Sequence, residues 1–167
     1  KNWDQSVDDE NGNYDYRMFA NIDYERGDVV DEMKKWGVWV ANELNLDGFR
    51  LDAIKHINNN FIEEFLKEVR ESRGENFYAV GEYWKGDLES IVEYLDNVNY
   101  QADLFDVPLH FNFFTASKNG SAYDLRKILD NSLVVNKKLF SVTFVDNHDS
   151  QWGGSLESQV DSWFKPL

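Results

Sequence analysis

The sequence predicts an α/β fold built on a parallel β-sheet, and two observations carry that reading. From residue 28 onward, stretches with helical apolar spacing alternate with short strand-like runs, the pattern of a parallel sheet with crossover helices. The strand starts fall roughly 30 residues apart, the length of one βα unit. No GxGxxG and no Walker A motif is present, which removes the usual nucleotide-binding versions of such a sheet.

Each element has its own signal. Asp28 can cap a first helix, with Asp31 and Glu32 in its first turn and Val29, Met33, Trp36, Val40 and Leu44 at helical spacing. Leu46 to Asp52 reads as a strand. Phe61, Ile62, Phe65, Leu66 and Val69 mark one face of a second helix, and Phe77 to Glu82 forms the next strand. Asp87 can cap a third helix through Leu88, Ile91, Val92 and Leu95. Leu104 to Val107 reads as a strand stopped by Pro108. A weaker helix spans Tyr123 to Leu129, and Leu139 to Val145 is a strand by β-propensity. Trp36, Trp39, Phe61 and Phe65 are expected in the core. Residues 1–28 form a polar, irregular, acidic arm, and residues 29–167 form one domain.

Composition narrows the function. The chain has 167 residues, 42% hydrophobic and 29% charged, as in a globular domain with a real core. Acids outnumber bases 31 to 17, giving a net charge of −14. A nucleic-acid partner is excluded on that balance, because phosphate binding needs clustered Lys and Arg. With no Cys, disulfides, thiolate-zinc sites and thiol nucleophiles are excluded as well. No apolar run has the length of a membrane span, so no membrane partner is expected. The chain begins at Lys1 without Met, which suggests a piece of a longer polypeptide.

Three carboxylates follow strands: Asp52, Glu82 and Asp149. In a parallel βα structure all strand C-termini lie on one face, the face on which βα barrels build their sites. A single such carboxylate more often caps the next helix. Three of them, each beside another reactive or aromatic residue, point to chemistry. Arg50 lies two residues before Asp52 and shares its side of the strand, so it can orient that carboxylate. Lys55 and His56 follow in the turn, His148 precedes Asp149, and Tyr83 and Trp84 follow Glu82. Two carboxylates flanking a bond are the minimum set for glycoside hydrolysis, one protonated to push out the leaving oxygen and one ionised. Neighbouring aromatic rings suit the apolar C–H faces of sugars.

Gly48-Phe49-Arg50-Leu51-Asp52-Ala53-Ile54-Lys55-His56 resembles the second conserved segment of the α-amylase family of glycoside hydrolases. Gly81-Glu82-Tyr83-Trp84 resembles the third, and Phe144-Val145-Asp146-Asn147-His148-Asp149 the fourth, in the same order and spacing. The whole chain is similar to the bacterial liquefying type. The resemblance implies part of a (β/α)8 TIM barrel, about strands 4 to 7. It also implies an endo-acting α-1,4-glucan (starch) hydrolase that retains anomeric configuration. Asp52 matches the nucleophile, Glu82 the general acid/base and Asp149 the transition-state stabiliser. Arg50 matches the arginine paired with the nucleophile, and His148 a histidine on the same sugar. Lys55, His56 and Trp84 match residues on the leaving-group side. A related α-glucanotransferase and a non-catalytic glucan-binding protein are the alternatives.

From composition alone the arm is a solvated acidic loop. The resemblance instead implies a structural calcium, with sodium or a second calcium beside it. Its ligands would be Asp4, Asp15, Asn21, Asp23, Glu25 and the backbone carbonyl of His56. Relatives usually carry Asp where this chain has Asn21, so weaker calcium binding is expected. Two further residues stay open: His110 faces the cleft or takes a loop hydrogen bond, and Asp106 supports the site at one remove. The resemblance implies a monomer, secreted, with a cytoplasmic location as the alternative. A four-strand piece of a barrel exposes two open edges, so the isolated chain is expected to be unstable and inactive.

Overall fold

Small residues, and not the large apolar ones, set the buried face of the first helix, α1 (Gly27–Glu43). Gly37 and Ala41 are buried, whereas Trp36 and Trp39 are 50% and 58% exposed. The expectation that these tryptophans lie in the core is therefore corrected. The reason is close approach to α2 (Asn59–Arg73): a Cβ added at Gly37 would lie 2.2 Å from the Phe65 ring. Only a residue without a side chain lets the two helices meet there, and this rotates the tryptophans outward. Phe61 and Phe65 are core residues as expected, 6% and 5% exposed.

The computed structural model describes residues 14–15, 19–20, 22–154 and 156–164. They fall into two units. The first runs up to Trp84 and includes Tyr94–Asp103; the second comprises Lys85–Glu93 and the residues from Leu104 onward.

In the first unit, β1 (Tyr14–Asp15) pairs antiparallel with β2 (Phe19–Ala20). The main framework is β3 (Gly48–Leu51) paired parallel with β4 (Tyr78–Gly81), with Arg50 opposite Val80 and Leu51 opposite Gly81. A Cβ at Gly48 would lie 2.6 Å from the Tyr78 carbonyl oxygen, so glycine is needed for the strands to come this close. The crossover is α2, capped by Asn58, whose side chain accepts the Phe61 N–H at 3.2 Å. Phe61, Ile62, Phe65, Leu66 and Val69 are buried on its inner face. Each such side chain contributes about 1.5–3 kcal/mol on leaving water. Arg70 closes the end of the helix, donating to the Phe77 carbonyl at 3.2 Å and to both oxygens of Gln101 at 2.8 Å.

In the second unit, β5 (Asp103–Phe105) pairs parallel with β6 (Ser141–Val142), Phe105 opposite Val142. The expected strand from Leu139 to Val145 is thus shorter than its propensity suggests. Its partner ends at Phe105, because α4 (Val107–Asn119) begins immediately after it. Leu139 and Phe140 form a 3-10 turn, and residues beyond Val142 have no β5 backbone to pair with. The helix α4 itself was not expected from the sequence. Its signals are Asp106, whose side chain accepts the Leu109 N–H at 3.1 Å, and Pro108 in the first turn. The helix expected over Tyr123 to Leu129 reduces to a 3-10 turn, Leu125–Lys127. The third helix forms as read: α3 (Leu88–Asn97) is capped by Asp87, which accepts the Ser90 N–H at 2.9 Å.

Asp106 is fully buried and serves several elements at once. Besides Leu109, it accepts the N–H groups of Leu133 at 3.0 Å and Val134 at 2.8 Å, which open α5 (Leu133–Asn136). The Ser141 hydroxyl of β6 donates to it at 3.2 Å. One carboxylate thus caps two helices and fixes the start of a strand.

Candidate active site

The strand register places two of the expected carboxylates side by side. Beyond the last paired residues of β3 and β4, the ladder continues: Glu82 N–H donates to the Leu51 carbonyl at 2.9 Å, and Ile54 N–H donates to the Glu82 carbonyl at 3.2 Å. Asp52 and Glu82 therefore leave adjacent strands at the same level. Asp52 is exposed and Glu82 is buried, with side-chain exposures of 69% and 10%. Arg50 joins them. Its guanidinium donates to Asp52, and its second terminal nitrogen lies 3.2 Å from Glu82 Oε2.

The backbone between them is bent for the purpose. Ala53 adopts the left-handed conformation, φ 48° and ψ 35°, which costs a non-glycine residue about 1 kcal/mol. In that conformation its N–H donates to Glu82 Oε2 at 3.2 Å. Ala53 lies within the Gly48–His56 motif, but alanine gives no local sign of the positive φ that aims its N–H.

Burial pushes the Glu82 carboxyl above the ordinary glutamate range. The Ala53 N–H and the Arg50 charge oppose that shift, while Asp52, which shares a hydrogen bond with Glu82, adds to it. Burial thus favours the protonated form of Glu82, since the ionised form is the one that suffers from lost water.

Lys55 and His56 lie in a 3-10 turn, Ile54–His56, that follows Ala53, and both are buried. Trp84 is half-buried, two residues after Glu82. In the second unit, His148 and Asp149 lie on a loop beyond β6, with His148 Nε2 3.2 Å from Asp149 Oδ2. Asn147 organises this loop: its side-chain oxygen accepts the N–H groups of Asp149 at 3.0 Å and Ser150 at 2.7 Å. Ser150 returns a bond, its hydroxyl accepting the Asn147 N–H at 2.8 Å.

Of the expected metal ligands, Asp4, Asn21 and the side chain of Asp15 lie outside the described residues. Asp23 is buried, 8% exposed, and accepts the N–H of the exposed Glu25 at 3.1 Å. Between them Tyr24 stacks on Phe61, ring centroids 4.1 Å apart, which pins this loop to α2. Among the described residues no three His, Asp or Glu side chains gather into a metal cluster.

A family model described as the alpha amylase catalytic domain matches residues 2–163. The chain belongs to the alpha-amylase family. It is 53% identical over all 167 residues to the alpha-amylase of Bacillus licheniformis, covering 33% of that protein. It is 52% identical, also over 167 residues, to the glucan 1,4-alpha-maltohexaosidase of Bacillus sp. (strain 707), covering 32% of it. The cytoplasmic alpha-amylase of Escherichia coli is 42% identical over 165 residues, 99% of this chain and 33% of that protein. The chain thus spans about a third of the length of these curated relatives. Among solved structures, the alpha-amylase of Geobacillus thermoleovorans complexed with acarbose is similar with a TM-score of 0.67. The match has 28% identity and covers 81% of this chain and 30% of that one.

Proposed function

We propose that this chain is the part of an endo-acting α-1,4-glucan hydrolase that supplies its three catalytic carboxylates. Residues 29–167 are read as about strands 4 to 7 of the (β/α)8 barrel, and residues 1–28 as the arm before them. The observation that carries the reading is the pairing of a buried Glu82, whose carboxyl burial pushes above the ordinary range, with an exposed, arginine-bound Asp52. One guanidinium bridges both carboxylates, an arrangement that suits a retaining mechanism in which one acts as nucleophile and the other as acid.

In the first step Asp52 attacks the anomeric carbon while the Glu82 O–H protonates the departing glycosidic oxygen. The bond to the leaving glucan breaks as the ester to Asp52 forms. In the second, Glu82, now ionised, takes a proton from a water molecule that attacks the same carbon, and Asp52 leaves. Asp149 and His148 hold the hydroxyls of that sugar. Lys55, His56 and Trp84 line the leaving-group side. Acarbose in the Geobacillus structure and the maltohexaose specificity in a relative's name support a glucan as the ligand.

Asp23 is a buried carboxylate on a loop pinned next to α2, the donor type that a hard cation takes. Calcium, alone or with sodium or a second calcium, would be held by Asp4, Asp15, Asn21, Asp23, Glu25 and the His56 carbonyl, and would rigidify the approach to the site. The sequence resemblance supports a secreted monomer, with a cytoplasmic location, as in the name of the Escherichia coli relative, as the alternative; cell fractionation and sedimentation check both.

Glu82→Gln in the full-length gene product tests the function. Release of reducing sugar from starch should fall by about 10²–10⁴-fold, with starch still bound. Undiminished hydrolysis would remove Glu82 from the mechanism. Starch binding by the wild type with no sugar release would point to a non-catalytic glucan-binding protein, and longer products from maltooligosaccharides to a glucanotransferase.

A further inference from the structure

The loop that carries His148 and Asp149 has no strand ladder to hold it, yet its backbone is tied down from two sides. His110, on α4, is fully buried. Its Nδ1 lies 2.6 Å from the Val145 carbonyl oxygen, and its Nε2 lies 2.9 Å from the Ser158 hydroxyl. Its ring stacks on Phe144, centroids 5.1 Å apart and planes within 7°. A carbonyl only accepts, so Nδ1 carries the proton; in a neutral imidazole Nε2 then accepts the Ser158 O–H. Burial holds this imidazole below the ordinary histidine range, against the opposing pull of the Asp146 charge, which agrees with that tautomer.

Ser158 belongs to a segment that grips the same loop twice more. Leu156 N–H donates to the Asp149 carbonyl at 3.0 Å, and Val160 N–H donates to Asp146 Oδ1 at 3.0 Å. Ser158 and Val160 are both buried, 4% and 0% exposed. A buried hydrogen-bonded network of this kind fixes one geometry, because each broken bond strands a polar group away from water.

We propose that His110 and Ser158 form a buried brace that positions the Val145–Asp149 segment, making His110 a positioning residue for the reaction. Its bearing on catalysis rests on the glucan-hydrolase reading above; the brace itself does not. A misplacement of Asp149 weakens its hold on the distorted sugar more than on the relaxed one, so the loss falls on kcat and spares KM.

The test uses the full-length gene product with His110→Ala, His110→Gln and Ser158→Ala. Backbone hydrogen exchange over residues 145–151 reads the brace directly. Faster exchange confined to this segment in Ser158→Ala, with the Tm near that of the wild type, is expected; unchanged exchange in Ser158→Ala and His110→Ala overturns the brace. Kinetics on maltooligosaccharides read its role: kcat falls about 10- to 100-fold in Ser158→Ala and His110→Ala with KM within about twofold, and His110→Gln recovers part of it by keeping an N–H for Val145. Faster exchange with kcat unchanged overturns the positioning role. Faster exchange in a protein whose wild type cleaves no starch leaves the brace standing and defeats the hydrolase reading instead.

Discussion

The two groups of candidate residues, one in each unit, are built by different means. Asp52 and Glu82 are set by the backbone of β3 and β4, whose parallel register runs unbroken from Gly48–Tyr78 to the Leu51–Glu82 bond. His148 and Asp149 come after β6 has ended and are set by side chains: Asn147, Ser150, Asp146, His110 and Ser158. A strand ladder positions its residues whatever the distant side chains are. A loop braced by side chains is only as well placed as each of those bonds. Substitutions of distant side chains should therefore damage the second region more than the first.

The largest effect sharpens the strand-borne half. On the proposed mechanism, Asp52→Asn in the full-length gene product should lower kcat on starch by about 10³-fold or more, since it removes the nucleophile that forms the ester. Glu82→Gln should likewise lose hydrolysis, but it carries a stability signature of its own. The folded state holds the Glu82 proton above the unfolded range. Its contribution is thus full below about pH 4.5 and is lost as pH rises through the raised folded value. The Tm of Glu82→Gln relative to wild type should climb between pH 4 and pH 8 in thermal melts. A gap that stays constant with pH would mean that Glu82 is not held protonated.

Next comes a substitution aimed at the loop-borne half. A Cβ at Gly154 would lie 2.2 Å from the Asp149 carbonyl oxygen and 2.8 Å from that of His148. Both are backbone atoms, so the loop itself must move. Gly154→Ala should cost about 100-fold in kcat, the scale of a 1 Å misplacement. An Ala variant with wild-type kcat would break the comparison, because the loop would then tolerate displacement.

Two stability measurements close the series. Asp106→Ala strands the N–H groups of Leu109, Leu133 and Val134 in the interior of the second unit. A loss of about 3 kcal/mol or more is expected in denaturant melts. Asn58→Ala removes the single cap of α2 in the first unit and should cost about 1 kcal/mol. Equal losses would argue that the second unit does not depend on Asp106 as a shared cap.

The strand-borne half was the more legible in the sequence for the same reason that it is robust. Arg50, Asp52 and Glu82 stand at or just past short apolar runs, and the alternation of helix and strand places them at strand ends without further information. Ala53 was not legible, since its positive φ is imposed by the turn and leaves no trace in residue type. The brace was legible only in part. His110 stands after Pro108, but Leu104 to Val107 reads as a strand stopped by that proline, which hides the helix that carries His110. Asp106 before a proline was the signal that could have found it. Ser158 and Gly154 carry no local pattern at all.

What the amino-acid order decided by itself is the α/β class, the family and the identity of the paired carboxylates, because these follow from periodicity and from short contiguous motifs. The tertiary structure alone decided which face of α1 is buried, where β6 stops, which of the two carboxylates is buried and what holds the Asp149 loop. Each of these depends on how closely two distant segments approach. That distance is set by packing and shared hydrogen bonds across the fold, and no local stretch of sequence records it.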